Sequence, residues 1–326
     1  GGEVPMIGVN SAGTGYVLTS TGKRQISDIS NVVATPKTIA SSILANADFS
    51  ADTPLTTPIT VKSADTGSST YVVYRGIKRA AIDSAEGAKM ALLAPGGVAL
   101  IWPNSVLAAI TNGKPLIAAG TIVKVQESGN IYLIDGYTKG LKITQATANA
   151  FRALTPKIVT AAKLAGYNTS TYSLAWQKVT CAGAPYLVDN GKLLPIDSAA
   201  VAQYPSSSVT LSSLTCRALA PSIIATHAGT FMTYSTAKYV LKSGKLHLIR
   251  TNDEYTAMLG SLSPAFNITT TLFKALPKGN PTSYVVISGD TLASVATKFK
   301  TTATALRNLN HLTSDTLRVG QVLALP

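Results

Sequence analysis

The chain has 326 residues, of which 46% are apolar and 13% are charged, and its formal net charge is +13. The apolar fraction excludes an intrinsically disordered chain, because it is sufficient to form a sizeable core. The longest nearly uncharged apolar stretch, residues 90–103, is too short to cross a bilayer and is interrupted by Pro95-Gly96-Gly97. The basic charge predicts polyanionic neighbours, such as anionic wall polymers or lipids. Specific nucleic-acid binding is not expected, because the sequence has no zinc-ligand or helix-turn-helix pattern.

Five copies of one sequence pattern fill residues 1–279. Each copy has two apolar runs on either side of a turn, and the first of these runs begins with a tyrosine. In the fourth copy the runs flank Asn190-Gly191, the dipeptide best suited to the positive φ values of a type I′ turn. The tyrosines are 55, 61, 54 and 53 residues apart, which indicates a tandem array of supersecondary units. They are Tyr16, Tyr71, Tyr132, Tyr186 and Tyr239.

The same elements surround every hairpin. A β-type run precedes it, and it ends at a residue that favours a helix N-cap. A short helix, a further β-branched run and an Ala/Leu-rich segment then follow, so the predicted order is β-β-β-α-β-α. The predicted N-caps are Ser27, Asp83, Thr144, Asp197 and Thr251.

Residues 1–279 are therefore expected to form a mainly β domain with short helices. Each copy exposes sheet edges that must be covered, and five copies can cover them as blades around one axis. A β-trefoil would need three copies, and an open solenoid would need distinct polar caps, which the first and last copies lack. The sequence favours a five-bladed β-propeller.

One lysine follows the turn glycine of every hairpin. In a closed ring these lysines would share one face, which would make a possible anion-binding face for a wall polymer. The alternative is that each lysine protects a sheet edge and keeps the surface soluble. The five residues are Lys23, Lys78, Lys139, Lys192 and Lys245.

The two cysteines, Cys181 and Cys216, both lie in the fourth copy. In an oxidising compartment they would form a disulfide between the start and the end of that copy, and the alternative is a pair of buried thiols. Few charges and abundant Ala, Ser and Thr favour an exported protein. No signal peptide is recognisable, so we expect a mature form or an excised part of a longer chain.

No pattern identifies a catalytic site, a metal site or a cofactor, and none of the three is predicted. The histidines, His227, His247 and His311, form no close metal-ligand motif, and no G-x-S-x-G elbow is present. Glycan cleavage would need paired carboxylates that converge from different copies. The glutamates considered for that role are Glu86, Glu127 and Glu254.

The pattern changes after a linker at residues 280–283. The segment 284–326 predicts two strands, at 284–286 and 319–323, which flank two helices. Asp290 is the predicted N-cap of the first helix, and the second helix is expected from about 302 to 309.

This segment resembles the LysM family. SGDTL at 288–292, A-L-x-x-L-N at 305–310 and VGQ-x-L at 319–323 stand in family order and spacing, after an initial YVV. The resemblance implies a βααβ fold that binds N-acetylglucosamine glycans, such as peptidoglycan or chitin, in a shallow groove between two loops. By position, it implies eight groove residues: Gly289, Asp290, Thr291, Leu292, Asn310, Leu312, Thr313 and Ser314.

The sequence therefore predicts a noncatalytic, secreted protein of the bacterial cell wall that binds peptidoglycan through its LysM segment. The repeats would provide a second binding or scaffolding surface, for an anionic wall polymer or a surface protein. Two alternatives stay open: a peptidoglycan hydrolase that its LysM segment targets to the wall, and a phage or tail-particle protein that docks on the wall.

Overall fold

The computed structural model of the chain describes residues 5–19, 22–46, 53–64, 69–196, 201, 204, 206–220, 231–259 and 266–326. The chain divides into two compact units. The first comprises residues 1–143, 155–173 and 212–218, and the second comprises residues 144–154, 174–211 and 219–326. Within the described ranges, every helix is too short or too polar to span a membrane.

The second repeat contains the strands and helices in the predicted order and has a further strand at its end, whereas the first repeat has a 3-10 turn in place of its first predicted helix. The first consists of β1 (Met6–Val9), β2 (Gly15–Thr19), β3 (Gly22–Ile26), a 3-10 turn (Ile29–Asn31), β4 (Lys37–Thr38) and α1 (Ser41–Asn46). The second consists of β5 (Ile59–Ser63), β6 (Thr70–Tyr74), β7 (Ile77–Ala80), α2 (Ser84–Leu92), a 3-10 turn (Pro95–Gly97), β8 (Leu100–Trp102), α3 (Asn104–Ala108) and β9 (Thr111–Asn112).

Of the other three repeats, the fifth has the predicted order and the third has a 3-10 turn in place of its last helix. In the fourth, most of the segment between the third and fourth strands, where a helix was predicted, lies outside the described residues. The third consists of β10 (Ile122–Val125), β11 (Ile131–Asp135), β12 (Lys139–Ile143), α4 (Gln145–Ala150), β13 (Lys157–Val159) and a 3-10 turn (Ala161–Leu164). The fourth contains β14 (Lys178–Cys181), β15 (Ala184–Asp189), β16 (Lys192–Pro195), β17 (Val209–Thr210) and α5 (Ser213–Leu219). The fifth contains β18 (Phe231–Tyr234), β19 (Ala237–Lys242), β20 (Lys245–Ile249), α6 (Asn252–Leu259), β21 (Phe266–Asn267) and α7 (Thr270–Ala275).

Each repeat forms its own sheet, in which the strand order is third, second, first, fourth. The first three strands pair antiparallel, whereas the fourth pairs parallel with the first: Val123 lies opposite Tyr132 in β11 and opposite Lys157 in β13. The second repeat adds β9 in parallel beside β7. The mainly β class with short helices is thus confirmed. In a propeller blade all neighbouring strands pair antiparallel. The parallel fourth strand of these sheets therefore differs from a propeller blade. The described residues do not confirm the predicted five-bladed propeller.

Three of the hairpin turns have the backbone that the sequence predicts. Asn190 and Gly191 have φ values of 48° and 70°, and Arg75-Gly76 and Ser243-Gly244 repeat this pair of positive values. Such turns match the twist of the strands that they join. The turn at Asn190-Gly191 therefore fixes the register between β15 and β16, in which Asp189 faces Lys192.

Three of the predicted helix N-caps are confirmed. The side-chain oxygens of Asp83, Thr144 and Thr251 accept hydrogen bonds from the N–H three residues later, at 2.9, 3.1 and 3.1 Å. The prediction at Ser27 is wrong, because a 3-10 turn without a side-chain cap follows it in place of an α-helix. The predicted cap Asp197 lies outside the described residues.

Carboxylates at the ends of second strands join neighbouring repeats. The buried Asp135 of β11 accepts a hydrogen bond at 2.8 Å from the N–H of Ser212, which precedes α5. The buried Asp189 of β15 accepts from the N–H and the hydroxyl of Thr269, the N-cap of α7, at 2.9 and 2.6 Å. Each carboxylate fixes the start of the last helix of the following repeat. The compact units consequently do not coincide with the sequence repeats.

The first unit contains a fully buried carboxylate, Glu86 of α2. The Lys89 ammonium lies 2.8 Å from its Oε1 and the Lys157 ammonium 3.4 Å from the same oxygen. Its Oε2 accepts hydrogen bonds from Ala118 N–H at 2.9 Å and from the Thr121 hydroxyl at 2.8 Å. Burial alone would raise the pKa of Glu86, but the hydrogen bonds from Lys89, Thr121 and Ala118 outweigh burial and hold the pKa below its usual range. Glu86 is therefore an ionised structural residue.

The C-terminal segment has the predicted βααβ order. Tyr284 pairs with Leu323 across the two antiparallel strands, and Val295 and Leu306 of the two helices are fully buried between them. The second strand begins at Val322, three residues later than predicted, because the residues before it form a turn. The elements are β22 (Ser283–Val285), α8 (Leu292–Lys298), α9 (Ala303–Leu309) and β23 (Val322–Ala324).

The segment before β22 pairs with the edge of the fifth sheet. Gly279 N–H donates to Leu246 O, and Thr282 N–H donates to Leu248 O, both at 2.9 Å. The Asn280 side chain donates to Phe299 O of the LysM segment at 2.6 Å. Residues 280–283, predicted as a linker, are thus tied to their neighbours on both sides. The predicted boundaries of three domains, 1–279, 280–283 and 284–326, remain a prediction.

Candidate functional site

The two loops that the LysM resemblance implies lie beyond the same end of the β22–β23 pair. Val286 N–H donates to Gln321 O, and Gly320 N–H donates to Val286 O, both at 2.8 Å. These hydrogen bonds continue the antiparallel ladder past the strands. They hold the loop after β22 against the turn that precedes β23.

Asp290 shapes the first loop rather than capping the helix. Its Oδ2 accepts hydrogen bonds from Ile287 N–H at 2.9 Å and from the Tyr284 hydroxyl at 2.7 Å. These two bonds hold the pKa of Asp290 below its usual range, the bond from the Ile287 N–H being the larger cause. The helix cap is Thr291, whose Oγ1 accepts from Ser294 N–H at 3.0 Å while the Ser294 hydroxyl oxygen accepts from Thr291 N–H at 2.9 Å. The N-cap prediction was therefore one residue too early.

The remaining predicted residues of the first loop differ in their exposure. Gly289 has a φ of 89°, and a Cβ there would meet nothing within 4 Å, so the backbone angle and not the available space favours glycine. Thr291 is exposed, whereas Leu292 is 2% exposed and belongs to the core between the helices and strands. Leu292 supports the loop from inside and is not positioned to contact a glycan.

Asn310 connects the second helix to the last strand. Its Nδ2 donates to Leu306 O and to Ala324 O, both at 2.9 Å, and its Oδ1 accepts from Ala324 N–H at 2.6 Å. All three bonds are to the main chain of the domain itself. Asn310 therefore has a structural role that its position in the family pattern does not reveal.

We expect Asn310→Ala to lower the free energy of unfolding of the LysM segment by about 2 kcal/mol, because it removes these bonds from main-chain groups at a partly buried position. Asn308→Ala, on the exposed face of the same helix, is the matched control and should change the free energy by less than about 0.5 kcal/mol. Denaturant unfolding followed by the NMR signals of the Tyr284 ring would compare the two variants. Equal effects would contradict the structural role of Asn310.

The second loop presents Thr313 and Ser314 to solvent, and Leu312 is half-buried against the core. The ion pair between Arg307 and Asp315, with 2.5 Å between Nη2 and Oδ1, ties this loop to α9. Thr313 and Ser314 therefore offer hydroxyl groups to solvent on a loop that this ion pair connects to α9.

Two residues that the sequence analysis did not select lie in these loops. Ile287 is 56% exposed and Val319 is 70% exposed, an unusual position for apolar side chains in otherwise polar loops. Ile287 follows Val286 and Val319 precedes Gly320, so the two hydrogen bonds at Val286 bring their backbones close together. They form an exposed apolar surface where the two loops meet.

The turn lysines of the repeats do not share one environment. Lys78 is 8% exposed and donates to Leu107 O and Ile110 O at the C-terminal end of α3, at 2.6 and 2.5 Å. Lys23 donates in the same way to Leu44 O of α1 at 2.5 Å. These two lysines stabilise helix ends within their own repeats.

The other three turn lysines are more accessible. Lys139 lies over the Tyr172 ring, 4.7 Å from its centre, and Lys192 and Lys245 are exposed. The buried position of Lys78 removes it from any anion-binding face. Whether the accessible lysines bind an anion remains a prediction.

The three glutamates considered for catalysis all bond to their own chain. Glu86 is buried in the network of α2, Glu127 accepts from Ala161 N–H at 2.9 Å, and Glu254 accepts from the Ser283 hydroxyl at 3.1 Å. Among the described residues, no group of three or more His, Cys, Asp or Glu side chains is arranged to hold a metal ion.

The histidines and cysteines complete the list of candidate residues. The Nδ1 of His247 lies 2.8 Å from Asn280 O, and His227 lies outside the described residues. Cys181 and Cys216 are disulfide-bonded, which confirms the predicted disulfide.

Comparison with known proteins identifies the C-terminal segment. Residues 284–326 match the LysM domain family. The probable endopeptidase p60 of Listeria seeligeri is 54% identical over 44 residues, which are 14% of this chain and 8% of that protein. The likeness therefore concerns a small part of that relative. Residues 284–326 are accordingly a LysM domain.

Two solved structures align with more of the chain. They are the periplasmic assembly from the ESX-5 inner membrane complex and an intact ESX-5 inner membrane complex. Both align over 86% of this chain, and over 94% and 80% of their own chains, at 14% identity with TM-scores of 0.17 and 0.16. Scores this low support no argument about fold or function.

Proposed function

We propose that this chain is a noncatalytic, secreted protein of the bacterial cell wall that binds peptidoglycan through its LysM domain. The observation that carries this proposal is the LysM match over residues 284–326, together with the two loops that meet beside exposed Ile287 and Val319. A family that binds N-acetylglucosamine glycans would use such a shallow surface, on which apolar side chains contact the sugar face and hydroxyl groups orient it.

The proposed groove differs from the eight-residue set implied by the resemblance. Thr291, Thr313 and Ser314 would contact the glycan, with Ile287 and Val319 added as apolar contacts. Leu292 and Asn310 would support the loops from within, and Gly289 and Asp290 would set the backbone of the first loop. A single shallow site of this kind binds weakly, so retention on a wall would depend on many glycan repeats or on a second surface.

The double substitution Ile287→Asp and Val319→Asp should weaken binding to peptidoglycan at least about tenfold, because it replaces the apolar contacts with charged, hydrated groups. The matched control is the double substitution Leu92→Asp and Val98→Asp, which adds the same charge at two exposed apolar residues of the repeats (73% and 71% exposed). Both variants should retain the unfolding midpoint of the parent chain. Unchanged binding by the double variant would remove these two residues from the proposed groove.

The hydrolase alternative is favoured by one observation, the name of the relative, which is a probable endopeptidase. The match covers 8% of that protein, so it supports a shared wall-binding arm and gives no support for a shared activity. Incubation of the chain with purified peptidoglycan, followed by analysis of soluble muropeptides, separates the two functions. We expect no release. Release that Glu127→Gln or Glu254→Gln abolishes would establish the hydrolase.

The repeats of residues 1–279 would provide the second surface, for an anionic wall polymer or a surface protein, or would act as a scaffold. The accessible basic side chains Lys192 and Lys245 support an electrostatic contribution. A ring of five blades would be one way to display that surface. The phage or tail-particle alternative would be favoured if the purified chain assembled into larger particles.

A further inference from the structure

A cavity of about 250 Å³ opens on the first unit beside the hairpin turns of the second and third repeats. Val72 and Leu116 give it an apolar lining and are 3% and 1% exposed. Tyr74 and Tyr137 also line it, and Tyr74 is 36% exposed. The proposed LysM function uses none of these residues.

Arg79 fixes the shape of this cavity. Its Nε donates to Lys114 O at 2.9 Å and its Nη2 to Pro115 O at 3.0 Å, while Nη1 donates to Tyr137 O of the third repeat. The guanidinium carbon lies 5.2 Å from the centre of the Tyr167 ring. Each guanidinium nitrogen thus donates to a main-chain carbonyl, and Arg79 acts as a positioning residue that connects the second repeat to the third.

Glycine at position 166 leaves room for the Arg79 guanidinium at the cavity lining. A Cβ on Gly166 would lie 2.5 Å from Arg79 Nη2 and 3.1 Å from Lys114 Cβ. Any larger residue would therefore push Arg79 out of the position in which it joins the repeats. Close approach of this kind is a structural reason for a glycine.

The charged side chains that line the cavity are all basic. Arg75 and Lys114 are exposed side chains at its lining, and no carboxylate is among the described residues that line it. Arg75 lies over the Tyr74 ring, 5.1 Å from its centre, so the cation is held against one face of an aromatic ring that also lines the cavity. A ligand that complements both must combine a negative charge with an apolar ring face.

We propose that this cavity binds one sugar ring that carries a carboxylate or a phosphate. Its volume is slightly below the usual range of ligand pockets, which begins at roughly 300 Å³, so it suits a single ring rather than an oligomer. The ring would contact the tyrosines, and the anionic group would lie against Arg75 and Lys114. The choice of a sugar over another ring-shaped anion rests on the proposed function, because the polymers of a cell wall contain such units.

Saturation-transfer NMR titrations of the full chain with glucuronate, glucose 6-phosphate and glucose test this proposal. The two anionic sugars should bind at least about tenfold more tightly than glucose, and the better of the two identifies the anionic group. Arg75→Asn and Lys114→Gln should each weaken that binding about tenfold. Asparagine is the chosen replacement because Arg75 has a φ of 54°, which asparagine tolerates.

Lys37→Gln is the matched control, because Lys37 is an exposed lysine of the same unit that does not line the cavity. It should bind the anionic sugars as the parent chain does. Equal binding of glucose and glucuronate, or full binding by both cavity variants, would overturn the proposal. Competition by benzoate or by inorganic phosphate at the same concentration would show an unspecific anion site and would also overturn it. If the anionic sugars fail while the chain still sediments with peptidoglycan, only this inference fails and the LysM function stands.

Discussion

Replacing Glu86 with alanine is expected to lower the free energy of unfolding by about 3 kcal/mol. The buried carboxylate accepts hydrogen bonds from Ala118 N–H and from the Thr121 hydroxyl, and it pairs with Lys89. The substitution leaves the buried N–H and hydroxyl groups without this acceptor and removes the partner of a charge. Urea unfolding followed by circular dichroism would measure the loss.

Glu127→Ala is the matched control for this prediction. Glu127 also accepts a main-chain hydrogen bond, from Ala161 N–H, but at an exposed position, so its loss should cost less than about 1 kcal/mol. A loss at Glu86 no larger than that at Glu127 would show that the buried network contributes little.

Acidification should reproduce part of the Glu86 effect. The pKa of Glu86 and that of Asp83 are both lowered, Asp83 chiefly by its hydrogen bond from Lys157. A lowered pKa contributes stability that is present above the unfolded pKa of about 4 and is lost as the pH falls through the folded pKa. The parent chain should therefore lose stability below about pH 4, and the Glu86→Ala variant should lose less over the same range.

Replacing both Cys181 and Cys216 with serine is expected to lower the free energy of unfolding by roughly 3 to 4 kcal/mol. The bonded residues are 35 positions apart, so the disulfide restricts the unfolded chain by closing a loop of that length. Reduction of the parent chain should produce a similar loss. The serine variant should not respond to the reductant, and a response of the variant would contradict the assignment of the effect to this disulfide.

The local elements could be predicted from the sequence because local chemistry determines them. Asn190-Gly191 adopts positive φ values with little strain, and Asp83 and Thr144 offer side-chain oxygens next to a new helix. The tyrosine period located all five hairpins. The prediction failed at Ser27, where a suitable residue precedes a 3-10 turn, because capping preference alone does not determine whether an α-helix follows.

The arrangement of the sheets could not be predicted in this way. Whether the fourth strand pairs parallel or antiparallel depends on the path of the helical segment before it, which the periodicity does not encode. The contacts of Asp135 and Asp189 with the following repeats are equally non-local, since their partners are 77 and 80 residues away. Lys78 follows a turn glycine as the other four lysines do, and only its contacts show that it is buried.

For the candidate site, the family pattern located the loops but not the role of each side chain. Leu292 and Asn310 stand at positions of the pattern, yet one is core and the other bonds to main-chain groups of its own domain. Ile287 and Val319 are distinguished by their exposure, which a single sequence does not give. A sequence signal was present, since both are β-branched residues next to a turn glycine or a serine in a polar loop.

Sedimentation of the full chain with purified peptidoglycan, in the presence of soluble N-acetylglucosamine oligomers or of high salt, tests the central claim most directly. If the LysM groove binds the glycan, the oligomers should displace the chain, and salt should have a smaller effect. If the net charge of +13 alone holds the chain on the wall, salt should release it and the oligomers should not. The second result would contradict this account.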